Sequence, residues 1–437
     1  MTAAPPVAPL AALARRPAAD PVLYWPGGVM SAGELRRRIA SLAAAAAAHS
    51  PGPGPLRVTS TDRLEMLTGV LAGLSLGRPV LPLAAASGDD PAWGLPPGTK
   101  PAAELWVPTS GSSGPARIAR LPAAALDAHV AASTAVLPRL GPGDRWLVCL
   151  PMHTIGALAA AWRALSAGAS LALLKGFDAA AARALMAAGA THVSVVPAML
   201  APLAAAKAPP PRGLRCLLSG GGPLSQEAAD IALAQGWPLW QGWGMTETCA
   251  HVAAGPVDAA WQPGVVGRPL PGAELSVEPG SGRIRIAGPM VMAGYLDPGG
   301  SRDAGLAADG SFLSSDAGEW LDDGRLRLLG RADEVIVSGG VNIHPETVEA
   351  ALEACPGVDE AGVTSRPDPR WGALVVAVYA GDITPPALDE WARQHLPATV
   401  RPRRFLRVAR LPRNAMGKLL RRQLGELGLE AEAGPLG

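Results

Sequence analysis

The sequence predicts an α/β protein with a large N-terminal domain of parallel α/β sheets, a small barrel-like β subdomain and a small α+β C-terminal domain. Three observations predict it. From Trp146 to Gln235 short apolar runs alternate with helical periods, which is the βαβ rhythm of a parallel sheet. After about Gly264 the rhythm gives way to short strands separated by Gly-rich turns, as in GAELSVEPGSGRIRIAG. After Arg331 comes a compact stretch of about a hundred residues with its own strands and helices, enough for a separate small domain. At 437 residues the chain is too long for one ordinary core. The expected domains are 1–331 and 332–437.

The elements follow in order. Residues 31–49, SAGELRRRIASLAAAAAAH, predict a helix with Ser31 as N-cap and Glu34 completing a capping box. PGPGP at 51–55 ends it. Strands are expected at 146–151, 170–174, 191–196 and 215–221, with helices near 155–167, 178–188 and 225–235 between or after them. In the last hundred residues EVIVSGG, AGVTSR and ALVVAVYAG read as strands.

Composition narrows the function classes. Hydrophobic residues make up 49% and charged residues 17%, with a mean hydropathy of +0.19, a soluble globular composition. Lys and Arg number 38 against 37 Asp and Glu, so nothing marks a nucleic-acid or anionic-membrane binder. No apolar run is long enough to insert into a bilayer; Thr154–Leu174 comes nearest but contains Trp162 and Arg163. The four cysteines are widely spaced and the N-terminus lacks a signal-peptide pattern, so a cytoplasmic protein is expected. Only four of the cations are lysines, Lys100, Lys175, Lys207 and Lys418, so each retained lysine asks for a reason.

Four motifs carry candidate chemistry. VPTSGSSGPARIA, 107–119, puts six small or hydroxylated residues, Thr109, Ser110, Gly111, Ser112, Ser113 and Gly114, after an apolar run. Backbone N–H groups and hydroxyls in such a loop suit a polyphosphate, and Arg117 adds charge. It does not match a Walker A loop, and a flexible Ser/Gly linker is the other reading. QGWGMTETC, 241–249, offers an aromatic face for a nucleobase, a hydroxyl for a phosphate and a carboxylate for Mg²⁺; a capped turn before a helix is the alternative. In FLSSDAGEW and the following GRADEV, Asp316 and Arg331 could share ribose hydroxyls or form a structural ion pair. In LPRNAMGKLLRRQL, 411–424, Lys418 precedes a basic helix that could equally be a solvated charge run.

Taken together in this order and spacing, TSGSSG, GWGMTE, SSDAG, GRADEVIVSGGVNIHP and PRNAMGK resemble the adenylate-forming (AMP-binding) superfamily, and most of all its small o-succinylbenzoate-CoA-ligase-like members. The resemblance implies an AMP-forming acyl- or aryl-CoA ligase using ATP, Mg²⁺ and coenzyme A on a small-molecule carboxylic acid. It implies that Thr109 to Gly114 close over the β- and γ-phosphates, with Arg117 where the family has Lys and Ala116 where it has Pro. Gly220, Gly221, Gly222 and Pro223 would line adenine, and Trp243, in the place of a familiar Tyr, would stack on it beside Gly244 and Met245. Thr246 would contact the α-phosphate, Glu247 would hold Mg²⁺, and Asp316 and Arg331 would bind ribose, with Ser315 replacing a Gly.

Asp333 falls at the hinge joining the two domains, about which Lys418 and the Ser338–Gly339–Gly340 segment would exchange places between two half-reactions. Lys418 would bridge carboxylate and phosphate in the first; Gly339 and Gly340 would flank a pantetheine thiol in the second. LPMHTIGALAAAWRALSAG, 150–168, is similar to the segment lining the acyl pocket, with His153, Thr154 and Gly156 facing the acid. Arg163 suggests a partner for a second substrate carboxylate; a helix salt bridge is the plainer reading. Three other readings compete: the same chemistry on a carrier-protein phosphopantetheine, a non-catalytic acyl-adenylate binder, and a serine amidase, for which the Ser-rich run is too short.

Overall fold

The computed structural model describes residues 7–84, 102–109, 117–205, 208–296, 305–413 and 419–430. Ser110, Gly111, Ser112, Ser113, Gly114, Ala116 and Lys418 lie outside them.

The helix expected at 31–49 spans Ala32–His49. Ser31 Oγ accepts the Glu34 amide, and the Glu34 carboxylate accepts the Ser31 amide at 2.8 Å, which closes the capping box. The βαβ rhythm forms six parallel strands: Pro21–Trp25, Ser170–Leu173, Arg145–Val148, His192–Val195, Cys216–Ser219 and Leu239–Met245 are neighbours in that order. Three of them are buried at every residue, because helices cover both faces of the sheet. Alternate residues of one strand therefore enter different cores. Trp146 and Val148 pack with Leu158 and Leu165 of helix Ile155–Ser166, whereas Leu147 and Cys149 pack with Ala182 and Met186.

Beyond Met245 the chain doubles back. Ala250–Pro256 pairs antiparallel with Leu239–Met245, and Val265–Pro269, Leu326–Arg331, Phe312–Trp320, Arg283–Ala287 and Glu274–Val277 extend the same sheet to thirteen strands. The antiparallel strands expected after Gly264 thus grow from the edge of the parallel sheet. A second sheet of five strands holds the hairpin Glu104–Thr109 and Arg117–Pro122. Towards the C-terminus, Val358–Asp368, Gly372–Gly381 and Arg404–Arg407 form a three-stranded sheet. Its hydrophobic clusters draw only on residues between Ile336 and Leu424. It meets the larger part at strand Leu326–Arg331, where Thr347 Oγ1 donates to the Leu329 carbonyl at 3.4 Å. Among the described residues no helix is long and apolar enough to cross a membrane.

Parallel strands present their carboxyl ends together, and loops from all of them converge there. One buried cation organises part of that rim. Arg63, at the start of helix Arg63–Ser75, donates to the carbonyls of Leu150 at 2.8 Å, Cys149 at 2.6 Å and Leu174. These carbonyls end the strands Arg145–Val148 and Ser170–Leu173, and the first two lead straight into His153. Removing the guanidinium would leave three carbonyls unpaired. Arg63→Ala is expected to lower unfolding free energy by roughly 2–4 kcal/mol. Urea denaturation should show a lower midpoint at unchanged slope, and Arg63→Lys should recover less than half of the loss, since an ammonium lacks the fork geometry.

Candidate active site

The strand Leu239–Met245 delivers the central residues. After Met245 the chain makes one 3₁₀ turn, Thr246–Thr248, and enters the returning strand through two non-glycine residues with positive φ, Cys249 at 57° and Ala250 at 110°. The turn is braced by Thr248, whose hydroxyl bonds the carbonyls of Met245 and Ala250 at 3.1 and 2.8 Å and accepts the Met245 amide. Gly244 is required here: a Cβ would lie 1.9 Å from the Ala250 carbonyl oxygen. Strain of this kind persists only where its surroundings enforce it, and it gathers at functional sites.

Three clusters radiate from this turn. In the first, the buried Trp243 turns its indole edge to Asp316, and Nε1–H donates to Oδ2 at 2.7 Å. Asp316 faces Arg331 across the pair of strands that carries them, with Nη1 4.0 Å from Oδ1. Arg331 also grips Asp333, at 2.9 Å through Nε and 2.5 Å through Nη2, and lies 3.5 Å from Glu334. The two residues expected to share ribose are thus joined directly to the residue expected at the hinge. Gly220 to Pro223 follow strand Cys216–Ser219, beside Gly242 of the same hairpin.

In the second cluster Glu247 accepts the Tyr295 hydroxyl at 2.5 Å on Oε1, and the Arg117 guanidinium covers the Tyr295 ring 3.8 Å from its centroid. Thr109 and Arg117 are cross-strand partners, joined by Thr109 Oγ1 donating to the Arg117 carbonyl at 3.2 Å. Tyr295 thus links Glu247 to the strand pair that carries Thr109 and Arg117. Tyr295 was not expected as a site residue; its one signal is rarity, as one of three tyrosines.

The third cluster overturns an expectation. Arg163 is not in a helix salt bridge. It is 2% exposed, and no described residue pairs with its charge or hydrogen-bonds its guanidinium. Its guanidinium lies beside the Trp146 ring, 4.9 Å from the centroid. Burial lowers its pKa to about 10. Around it stand His129, His192 and His251, each held below the ordinary imidazole range by burial first and by the Arg163 charge as a lesser cause. His251 belongs to the central hairpin and bonds Ser133 Oγ at 2.9 Å, whereas neither ring nitrogen of the buried His129 has a partner. His153 is half-buried at the mouth of helix Ile155–Ser166, its pKa lowered by burial and then by Arg63.

Two further pieces belong to the C-terminal region, outside its three-stranded sheet. Gly339 and Gly340, with φ of 58° and 79°, form the turn between Ile336–Ser338 and Val341–Ile343. Trp371 lies against Gly339, where a Cβ would come within 2.8 Å of its ring. Arg421, three residues beyond Lys418, is not a solvated charge: it reaches Glu334 at 2.7 Å, Glu346 at 3.1 Å and Glu349. Burial pushes the Glu346 carboxyl up to about 7, against the pull of Arg421.

The sequence matches the AMP-binding enzyme family over residues 102–296 and the AMP-binding enzyme C-terminal domain over 347–418. A 2-succinylbenzoate–CoA ligase of Bacillus licheniformis is 37% identical over 307 residues, 67% of this chain and 64% of that protein. The match thus spans just under two thirds of that relative's length. The fold matches an o-succinylbenzoate CoA synthetase of Bacillus subtilis in complex with its acyl-adenylate intermediate, with a TM-score of 0.85 and 25% identity over 96% of this chain and 98% of that one. The same enzyme with ATP and magnesium gives 0.83 at 25% identity, covering 96% and 99%.

An unpaired buried cation costs stability, so Arg163 invites a direct test. Arg163→Met fills a similar volume without the charge, and should raise unfolding free energy by about 1–2 kcal/mol after the loss of the Trp146 contact. Denaturant titration reads the effect; a clear loss of stability would mean the charge is compensated within the folded chain.

Proposed function

This chain belongs to the AMP-binding enzymes, and from that premise we propose that it is an ATP-dependent acid–thiol ligase. It activates a carboxylic acid as the acyl-adenylate and passes the acyl group to coenzyme A. The observation that carries the reading is the convergence on one hairpin of Trp243 with Asp316 and Arg331, and of Glu247 with Tyr295 and Arg117. The curated relatives named 2-succinylbenzoate–CoA ligase support the same chemistry.

The mechanism follows from charge. A carboxylate oxygen attacks the α-phosphorus of ATP; an O–P bond forms as the bond to the bridging oxygen breaks, and pyrophosphate leaves with its electron pair. Asp316 and Arg331 hold the ribose, Trp243 and Gly220–Pro223 the base, Thr246 the α-phosphate, and Thr109 with the loop to Gly114 the outer phosphates. Arg117 and Lys418 offset the negative charge that grows on the phosphate oxygens. Glu247, whose oxygens suit a hard cation, would hold Mg²⁺, which when bound neutralises phosphate charge. The C-terminal domain, 332–437, then turns about Asp333, and Gly339 and Gly340 replace Lys418 beside the site. The thiol sulfur attacks the acyl carbon, and AMP departs.

The acid proposed is one with a second carboxylate. 2-Succinylbenzoate carries two, and Arg163 is a buried cation with no counter-charge of its own. His153 and Gly156, at the start of the helix that carries Arg163, would face the acid. The four buried, unpaired cysteines fit a reducing compartment, and we place the protein in the cytoplasm. A carrier-protein phosphopantetheine as acceptor differs only in the second step.

Pyrophosphate release with ATP across aliphatic, aromatic and dicarboxylic acids tests the reading; no release with any acid would leave a binding protein. Among active acids, dicarboxylates should lead, and Arg163→Met should erase that lead while sparing monocarboxylates. Thioester formation with free CoA and with a phosphopantetheinylated carrier then separates the two acceptors. Lys418→Ala should slow adenylation by about a hundred- to a thousandfold. Thioester formation from a synthetic acyl-adenylate should stay near wild type in that variant, and equal losses in both steps would remove Lys418 from its role.

A further inference from the structure

The Trp243–Asp316 hydrogen bond does more than pack a ring. Where the base-stacking residue of an adenylating site is a tyrosine or phenylalanine, its ring offers a face and no N–H on its edge. Trp243 has both, and the two are spent in different directions. The ring is 6% exposed, while Nε1–H lies 2.7 Å from Asp316 Oδ2. That oxygen is committed to the indole. Oδ1 remains on the side of Arg331, 4.0 Å from Nη1. Ser314 fixes the main chain that carries this carboxylate, since its Oγ accepts the Asp316 amide at 3.2 Å and donates to the Asp316 backbone carbonyl at 3.0 Å.

We propose that Trp243 is the positioning residue that sets this protein's preference for a ribose over a deoxyribose nucleotide: its indole N–H locks the Asp316 carboxylate in one rotamer, so that Oδ1 and Arg331 meet the 2′- and 3′-hydroxyls together. The inference rests on the ATP-dependent reading above. A carboxylate on a strand otherwise has a second rotamer within reach, and a rotating acceptor pays ordering entropy each time it binds a sugar. Charge-assisted donation from a buried indole removes that freedom before the nucleotide arrives. Arg331 is held in turn by Asp333, so both ribose-facing groups are fixed from outside the sugar site.

Trp243→Phe keeps a ring and deletes the donor. Adenylation is measured with ATP, 2′-deoxy-ATP and 3′-deoxy-ATP, with the wild-type protein first shown by calorimetry to bind ATP. In the variant the KM for ATP should rise with little change in kcat, and the preference for ATP over either deoxy analogue should fall about tenfold, the order expected for one lost hydrogen bond to a charged group. In an Asp316→Ala background the Trp243→Phe effect on that preference should vanish, because the indole would have nothing left to hold. A ring that served only as a face for the base would weaken all three nucleotides by one factor, and additive losses in the double variant would say the same; either result overturns the inference. Should Phe fail to pack, Trp243→Leu gives the same comparison of the three nucleotides. Failure of the wild type to bind ATP would instead sink the ligase reading and is seen before any variant is made.

Discussion

The contact between Gly244 and the Ala250 carbonyl is the constraint on which the site depends. Only a residue without a Cβ lets the chain close so tightly, and closing it forces Cys249 and Ala250 into left-handed backbone. The consequence is directional. In a regular strand side chains alternate between faces, so Trp243, Glu247 and His251, four residues apart, would fall on one face. The irregularity between Trp243 and Gly244 breaks that alternation, and the three side chains reach three different partners, Asp316, Tyr295 and Ser133. The proposed nucleotide, metal and acid contacts therefore gather around one turn, while the sheet on either side stays a conventional buried core.

Much of the fold was legible because its signals are local. Ser31 and Glu34 mark a helix start through two hydrogen bonds made three residues apart, and SLALL or CLLS can be apolar throughout only if both faces are covered. The attachment of the antiparallel strands was not legible. GRIRIAG alternates the same way whether its sheet closes on itself or continues from another, and the choice is made by pairing across long sequence separations, Val265–Pro269 against Leu326–Arg331 among them. For the site, motif residues were legible by type and spacing. Their second partners were not: nothing near Glu247 in sequence announces Tyr295, and nothing near Lys418 announces that Arg421 would face three carboxylates.

Arg163 shows why a residue's type and position along a helix can mislead. At the C-terminal end of helix Ile155–Ser166 a cation is favoured by the helix dipole and is ordinarily solvated or paired. Here the helix lies between the sheet and helix Ala123–Val136, so the same position points inward, among three imidazoles and a tryptophan. The histidines cannot answer the charge, since an imidazole is at best neutral and burial and Arg163 both disfavour its protonated form. A fold selected for stability alone would place Met or Leu there. Retaining a guanidinium with no described counter-charge is intelligible if an anion completes it, and a substrate carboxylate is the anion that the proposed chemistry would supply.

The same logic links the nucleotide site to the C-terminal domain. Asp316, Arg331, Glu334 and Arg421 form a chain of charged contacts from the proposed ribose site to the helix that follows Lys418, and Asp333, the proposed pivot, branches from Arg331. Ion pairs at this level of exposure are weak individually, and a chain of them can be rearranged at modest cost. That is the property a pivot needs. A hydrophobic seam at 331–334 would bind the C-terminal domain in one orientation, whereas charged contacts there can be re-paired one at a time. The proposed ribose site and the proposed pivot meet at one residue, Arg331, which contacts Asp316 on one side and Asp333 on the other.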